Sequence, residues 1–99
     1  MKKQLFTSNR QDWETPQSLF DQLNAAEHFT LDAACSQQNC KCATGYTIEN
    51  SGLTHPWTGH RVWCNPPYGR TVGQWVRKAY EESTRGVFSM LLLPARTDT

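Results

Sequence analysis

Val62-Trp63-Cys64-Asn65-Pro66-Pro67-Tyr68-Gly69-Arg70 is a short apolar run that stops at two consecutive prolines. Proline fixes φ and offers no N–H to a ladder, so a strand through Val62 must end at Asn65, and its last carbonyls are expected to lack ladder partners. An amide side chain, a rigid proline carbonyl and an aromatic ring within four residues make a compact seat for a flat group bearing an amino nitrogen. A nucleobase has that shape.

Downstream, Thr71-Val72-Gly73-Gln74 has the pattern of a capping box. Val72, Trp75, Val76, Ala79 and Tyr80 then recur at helical spacing, and Gly86 is placed to end the helix after Arg85. Val87-Phe88-Ser89-Met90-Leu91-Leu92-Leu93 is nearly continuously apolar, which predicts a parallel strand covered on both faces, stopped by Pro94. Strand, helix and strand at this spacing predict a parallel crossover.

Upstream, residues 1–12 read as a polar arm and residues 13–99 as one domain. Thr15 is expected to cap a helix with Pro16 at its first position, and Leu19, Phe20 and Leu23 share one face before an end near residues 24–27. Phe29-Thr30-Leu31 reads as a strand running into Asp32-Ala33-Ala34-Cys35. Residues 36–44 are polar and aperiodic, a loop of no legible function. Tyr46-Thr47-Ile48 is a weak strand ending at Glu49-Asn50, and Ser51-Gly52 breaks the chain. Trp57, Trp63 and Trp75 sit in patterned apolar segments and read as core. Cys64 reads as a small buried hydrophobe.

These elements describe a layered α/β domain, in which ligands bind beyond the carboxyl ends of parallel strands. Residues 32–35, 49–50, 65–68 and 94–96 would all meet along that one edge.

Composition narrows the class. Ninety-nine residues allow one core. A net charge of +1 names no partner, and although Arg61, Arg70, Arg77, Lys78 and Arg85 can be drawn as a basic patch around the motif, charge alone favours an ordinary solvated surface. No apolar run approaches membrane-spanning length and the N-terminus has no signal-peptide core, so a cytoplasmic protein is expected, with Cys35, Cys40, Cys42 and Cys64 as reduced thiols. No zinc-finger spacing is present, and no metal is expected.

Taken in order, Asp12-Trp13-Glu14-Thr15-Pro16, Leu31-Asp32-Ala33-Ala34, Gly52-Leu53, Trp57, residues 62–70, Trp75-Val76-x-Lys78-Ala79 and Pro94-Ala95-Arg96-Thr97-Asp98-Thr99 resemble the N-terminal portion of the phage-type DNA adenine methyltransferases, a Dam-like family. The resemblance implies a Rossmann-like methyltransferase fold, incomplete at its C-terminus, and S-adenosylmethionine as cofactor. It implies a phage- or prophage-encoded enzyme working in a bacterial cytoplasm. Asn65, Pro66 and Tyr68 would grip a flipped adenine. Glu14, Thr15, Pro16, Asp32, Ala33 and Glu49 would face the cofactor, with Glu49 on the ribose hydroxyls. Arg70 and Arg96 would contact DNA.

Two alternatives stay open. One is an inactive remnant that still binds nucleosides or nucleic acid; the other is a methyltransferase acting on RNA or a protein amide. A bare strand edge would also allow two chains to associate.

Overall fold

The computed structural model describes residues 15–47, 50–67 and 69–94. Along the chain these form α1 (Gln17–Glu27), β1 (Leu31–Asp32), β2 (Thr44–Gly45), β3 (Arg61–Cys64), α2 (Val72–Ser83) and β4 (Phe88–Leu91). The strands make one sheet in the order β2-β1-β3-β4, and each pairing is parallel. The expected α/β class therefore holds, and the crossover read around Val62 is β3–α2–β4. The arm at residues 1–12 lies outside the described residues.

Alternation along β3 builds two cores from one strand. Val62 and Cys64 face one side, where Leu31, Ala33, Trp57, Trp75 and Val87 join them. Trp63 faces the other, packing against Phe20 of α1 and Phe29 with ring centroids 5.5 Å away in each case. As read, Trp57, Trp63 and Trp75 are core and Cys64 is fully buried.

Helix α1 stops because Asn24 acts twice. Its carbonyl accepts the His28 N–H at 2.8 Å and its Oδ1 accepts the Phe29 N–H at 2.7 Å. His28 takes the left-handed conformation, φ 57°, that turns the chain into β1.

Several boundaries differ from the sequence reading. Pro16, not Thr15, borders α1, and neither Thr15 nor Thr71 makes a side-chain cap among the described residues. Thr71 is already near-helical, φ −86° and ψ −3°, so its hydroxyl does not take the Gln74 N–H as in a capping box; that N–H donates to the Thr71 carbonyl at 2.9 Å. The inward stripe of α2 is Val72, Trp75, Ala79 and Glu82, while Val76 and Tyr80 sit about 100° further round and are exposed, Tyr80 by 69%. Strand β1 begins two residues later than expected, at Leu31. Strand β2 precedes its expected position, although Tyr46 still donates its N–H to the Asp32 carbonyl at 2.9 Å. Finally, β4 is an edge of the described sheet and only partly covered; Phe88 is exposed and lies under the Arg61 guanidinium, 4.5 Å from the ring centroid.

Gly52 marks a close approach, not merely a turn. A Cβ there would collide with the Ala33 carbonyl and come within 3.1 Å of the Trp75 ring, while the Gly52 carbonyl accepts the Trp57 indole N–H at 2.9 Å. Backbone cannot move aside cheaply. Gly52→Ala is expected to lower stability by about 1–3 kcal/mol, read as a shift in urea midpoint with unchanged slope.

Candidate active site

Strands β1 and β3 are neighbours, but the chain leaves them in opposite directions, β1 leading to β2 on one side and β3 to β4 on the other. The crevice beyond the carboxyl ends of such a pair is where open parallel sheets place ligands. Asp32 closes β1 and Asn65 follows β3, in a register that pairs Asp32 with Trp63. One further bond, from the Ala33 N–H to the Trp63 carbonyl at 2.9 Å, holds the two ends together.

The start of α1 closes this crevice through a chain of side-chain contacts. Asn65 Nδ2 donates to Thr15 Oγ1 at 3.1 Å. Two residues on, Gln17 Oε1 accepts from Lys41 Nζ at 2.8 Å. Lys41 in turn donates its backbone N–H to Asp32 Oδ2 at 2.9 Å, and Ala34 donates to Oδ1 at 3.2 Å. Asn65, the first turn of α1, the loop after β1 and Asp32 are thus one linked unit.

Of the residues singled out in the sequence, Thr15, Asp32, Ala33 and Pro66 are buried, Asn65 is half-buried, and Pro16 and Arg70 are exposed. Glu14, Glu49, Tyr68 and Arg96 lie outside the described residues. Gln17 and Lys41 were not anticipated, and nothing in an aperiodic polar loop distinguishes Lys41 from its neighbours.

One expectation about the motif is corrected. The last carbonyls of β3 are not left over: Trp63 bonds Ala33, and Cys64 accepts the Leu92 N–H at 2.9 Å. The five basic residues are, as charge alone favoured, an ordinary surface set, and four of them are taken up by acidic partners. Arg61 begins β3, about 13 Å of strand away from Asn65, and pairs with Glu27 at 2.7 Å. Lys78 pairs with buried Glu82 at 2.8 Å, Arg85 with the same carboxylate at 3.8 Å, and Arg77 with Glu81 at 4.0 Å. Arg70 alone of the five has no acidic partner among the described residues.

Burial pushes the Asp32 carboxyl up to about 6, against the opposing pull of the Lys41 and Ala34 N–H groups. Only 2% of the residue is exposed. Because the folded state holds this proton more tightly than the unfolded chain, the group's contribution is greatest below about pH 4. It declines as pH rises through about 6, and is level above that. Wild type compared with Asp32→Asn should lose on the order of 3 kcal/mol across that window, measured by urea titrations at successive pH values.

The cysteines overturn the expectation of four free thiols. A turn in which Asn39 Oδ1 accepts the Ser36 N–H at 2.8 Å folds residues 36–39 back, bringing the Cα atoms of Cys35 and Cys40 to 4.9 Å, and the two form a disulfide. Cys42 and Cys64 remain thiols. Burial, reinforced by Asp32, pushes Cys42 up to about 11 and Cys64 further still, so neither is a ready nucleophile. Asp32, Cys35 and Cys40 also place their potential ligand atoms within 4.8 Å of one another, a grouping the sequence reading did not foresee. Sulfurs joined to each other are not thiolate ligands, so a cation there would need the reduced pair.

A family model described as DNA N-6-adenine-methyltransferase (Dam) matches residues 2–99. The chain belongs to this family. Among its Dam relatives, the DNA N-6-adenine-methyltransferase of Escherichia phage T1 is 35% identical over 89 residues, which cover 88% of this chain and 37% of the phage protein. YfdM of Escherichia coli (strain K12), a protein named as a methyltransferase, is 35% identical over 63 residues, covering 57% of this chain and 69% of YfdM. The chain thus spans a little over a third of the length of its phage T1 relative. No solved structure matches this Dam chain significantly. No helix among the described residues is long and apolar enough to cross a membrane.

Proposed function

We propose that this chain carries the cofactor-facing and base-gripping part of an enzyme that methylates the exocyclic amino nitrogen of adenine in DNA. The observation that carries the proposal is the juxtaposition of Asp32 and Asn65 at the carboxyl ends of adjacent inner strands, bridged by the start of α1. The strand order β2-β1-β3-β4 supports reading the sheet as part of a Rossmann-like one.

The residues fit S-adenosylmethionine at both ends of its amino-acid portion. The first turn of α1 carries no acidic side chain, so its unpaired N–H groups beside Pro16 suit a carboxylate. Buried Asp32, next to Ala33, suits an ammonium group. When bound, the cofactor supplies an electrophilic methyl on a sulfonium. Glu14 and Glu49 complete the proposed set, Glu49 toward the ribose hydroxyls.

The adenine amino nitrogen is a weak nucleophile because its lone pair is delocalised into the ring. Acceptors at the Asn65 side chain and the Pro66 carbonyl would bind its two hydrogens, favour a pyramidal nitrogen and free the lone pair for attack. Holding that nitrogen in line with the methyl is most of the remaining work. The nitrogen is paired in duplex DNA, so the base must leave the helix, and stacking on Tyr68 offsets part of that cost. Arg70 and Arg96 are assigned to phosphates.

The test is transfer of labelled methyl from S-adenosylmethionine to unmethylated bacterial or phage DNA, with RNA and protein offered in parallel. Label in adenine of the DNA supports the assignment. Label only in RNA or protein moves the acceptor, and DNA or nucleoside binding without label marks a binding remnant.

A further inference from the structure

We infer that Thr15 is a positioning residue for Asn65, and that its hydroxyl serves the base-gripping amide and not the cofactor; the functional part of this inference rests on the methyltransferase reading above. Thr15 stands where a helix cap was expected, yet its hydroxyl caps nothing among the described residues. It is 5% exposed and accepts a hydrogen bond from Asn65 Nδ2 at 3.1 Å, across fifty residues of sequence.

The chemistry of the amide explains why that bond matters. An asparagine side chain is an acceptor at one end and a donor at the other. To take hydrogen from an amino group, Asn65 must turn Oδ1 toward the base, which aims Nδ2 the opposite way. A buried N–H pair with no acceptor there would make the gripping orientation unfavourable. Thr15 Oγ1 supplies an acceptor there. A hydroxyl suits the place because it can rotate its own hydrogen away and present a lone pair.

The location adds a second consequence. Pro16 and Gln17 follow directly, and Gln17 holds Lys41, which holds Asp32. Seating of the first turn of α1 against Asp32 therefore sets where Thr15 stands, and Thr15 sets how Asn65 is turned. The cofactor side and the base side share one hinge point.

Thr15→Val keeps shape and removes the acceptor; Thr15→Ser keeps the acceptor. With wild type active, Thr15→Val should lower kcat about ten- to a hundredfold with the KM for S-adenosylmethionine near wild type, and Thr15→Ser should restore most of the loss. In an Asn65→Ala background Thr15→Val should cost nothing further. A Thr15→Val kcat within twofold of wild type, a parallel collapse of cofactor affinity, or a Thr15→Ser variant as impaired as Thr15→Val would each overturn the inference.

An activity-independent readout keeps it separate from the methyltransferase reading. The Asn65 side-chain NH₂ signals in a 15N spectrum, assigned by their loss in Asn65→Ala, should shift and exchange faster in Thr15→Val but not in Thr15→Ser. If wild type has no turnover, the methyltransferase reading fails and these signals decide: the stated pattern supports Thr15 as the partner that orients Asn65, and signals unchanged in Thr15→Val overturn it.

Discussion

Asn65→Ala is expected to cut methyl transfer to DNA by about a hundred- to a thousandfold while leaving S-adenosylmethionine affinity near wild type. The asymmetry follows from the site. Asn65 lies beyond β3, while Asp32 ends β1 and is tied through Lys41 to the first turn of α1; the proposed assignment puts the base against the former and the cofactor against the latter. An acceptor that strengthens only as the amino nitrogen becomes pyramidal acts on the transition state, so its loss appears in kcat and not in cofactor binding. Single-turnover transfer and calorimetry with S-adenosylmethionine measure the two quantities. Undiminished transfer would remove Asn65 from the mechanism.

The largest effect on stability is expected at Trp63. Its ring is 1% exposed and packs against Phe20 at a 77° interplanar angle and against Phe29 at 56°. Truncating a buried tryptophan typically costs about 3–5 kcal/mol, a large part of the 5–15 kcal/mol available to an ordinary domain. Trp63→Ala should therefore leave much of the chain unfolded at ambient temperature, seen by far-UV circular dichroism. Phe20 lies in the first turn of α1 and Phe29 just before β1, so the same variant should loosen α1 from the sheet and with it the seat of Thr15. Trp63→Phe, which keeps a ring, should fold with a lower urea midpoint.

What the sequence made legible was whatever repeats with a period or stops at proline or glycine. The run into Asn65-Pro66-Pro67, the stripe Val72, Trp75 and Ala79, and the stop at Gly86 were readable because each is local. Placing Asp32 and Asn65 on one sheet edge was also readable, since parallel strands have only one carboxyl edge to share. The misreadings share a cause of the opposite kind. Thr15 looks like a cap in its own neighbourhood, but a partner fifty residues away engages its hydroxyl. Val76 and Tyr80 fit the helical spacing, but one covered face admits only the stripe beside them. Leu91 and Met90 lie in an apolar run that promised full burial, and the place of β4 at the edge of the described sheet denied it. The loop carrying Lys41 and the Cys35–Cys40 disulfide has no period at all, so its contacts with Gln17 and Asp32 exist only once the sheet has formed.

The parallel sheet also sets an order of events as the chain leaves the ribosome. Leu31 pairs with Thr44 thirteen residues on and with Val62 thirty-one residues on, and Val62 waits a further twenty-seven for Ser89. Strand β1, two residues long, can hardly persist beside β2 alone. Until Trp63 has been synthesised, Phe20 has Phe29, 5.8 Å away between ring centroids, to pack against but not the indole that completes their cluster. Such distant pairings put folding on a millisecond-to-second scale and give chaperones, or neighbouring nascent chains, an interval in which to capture those side chains.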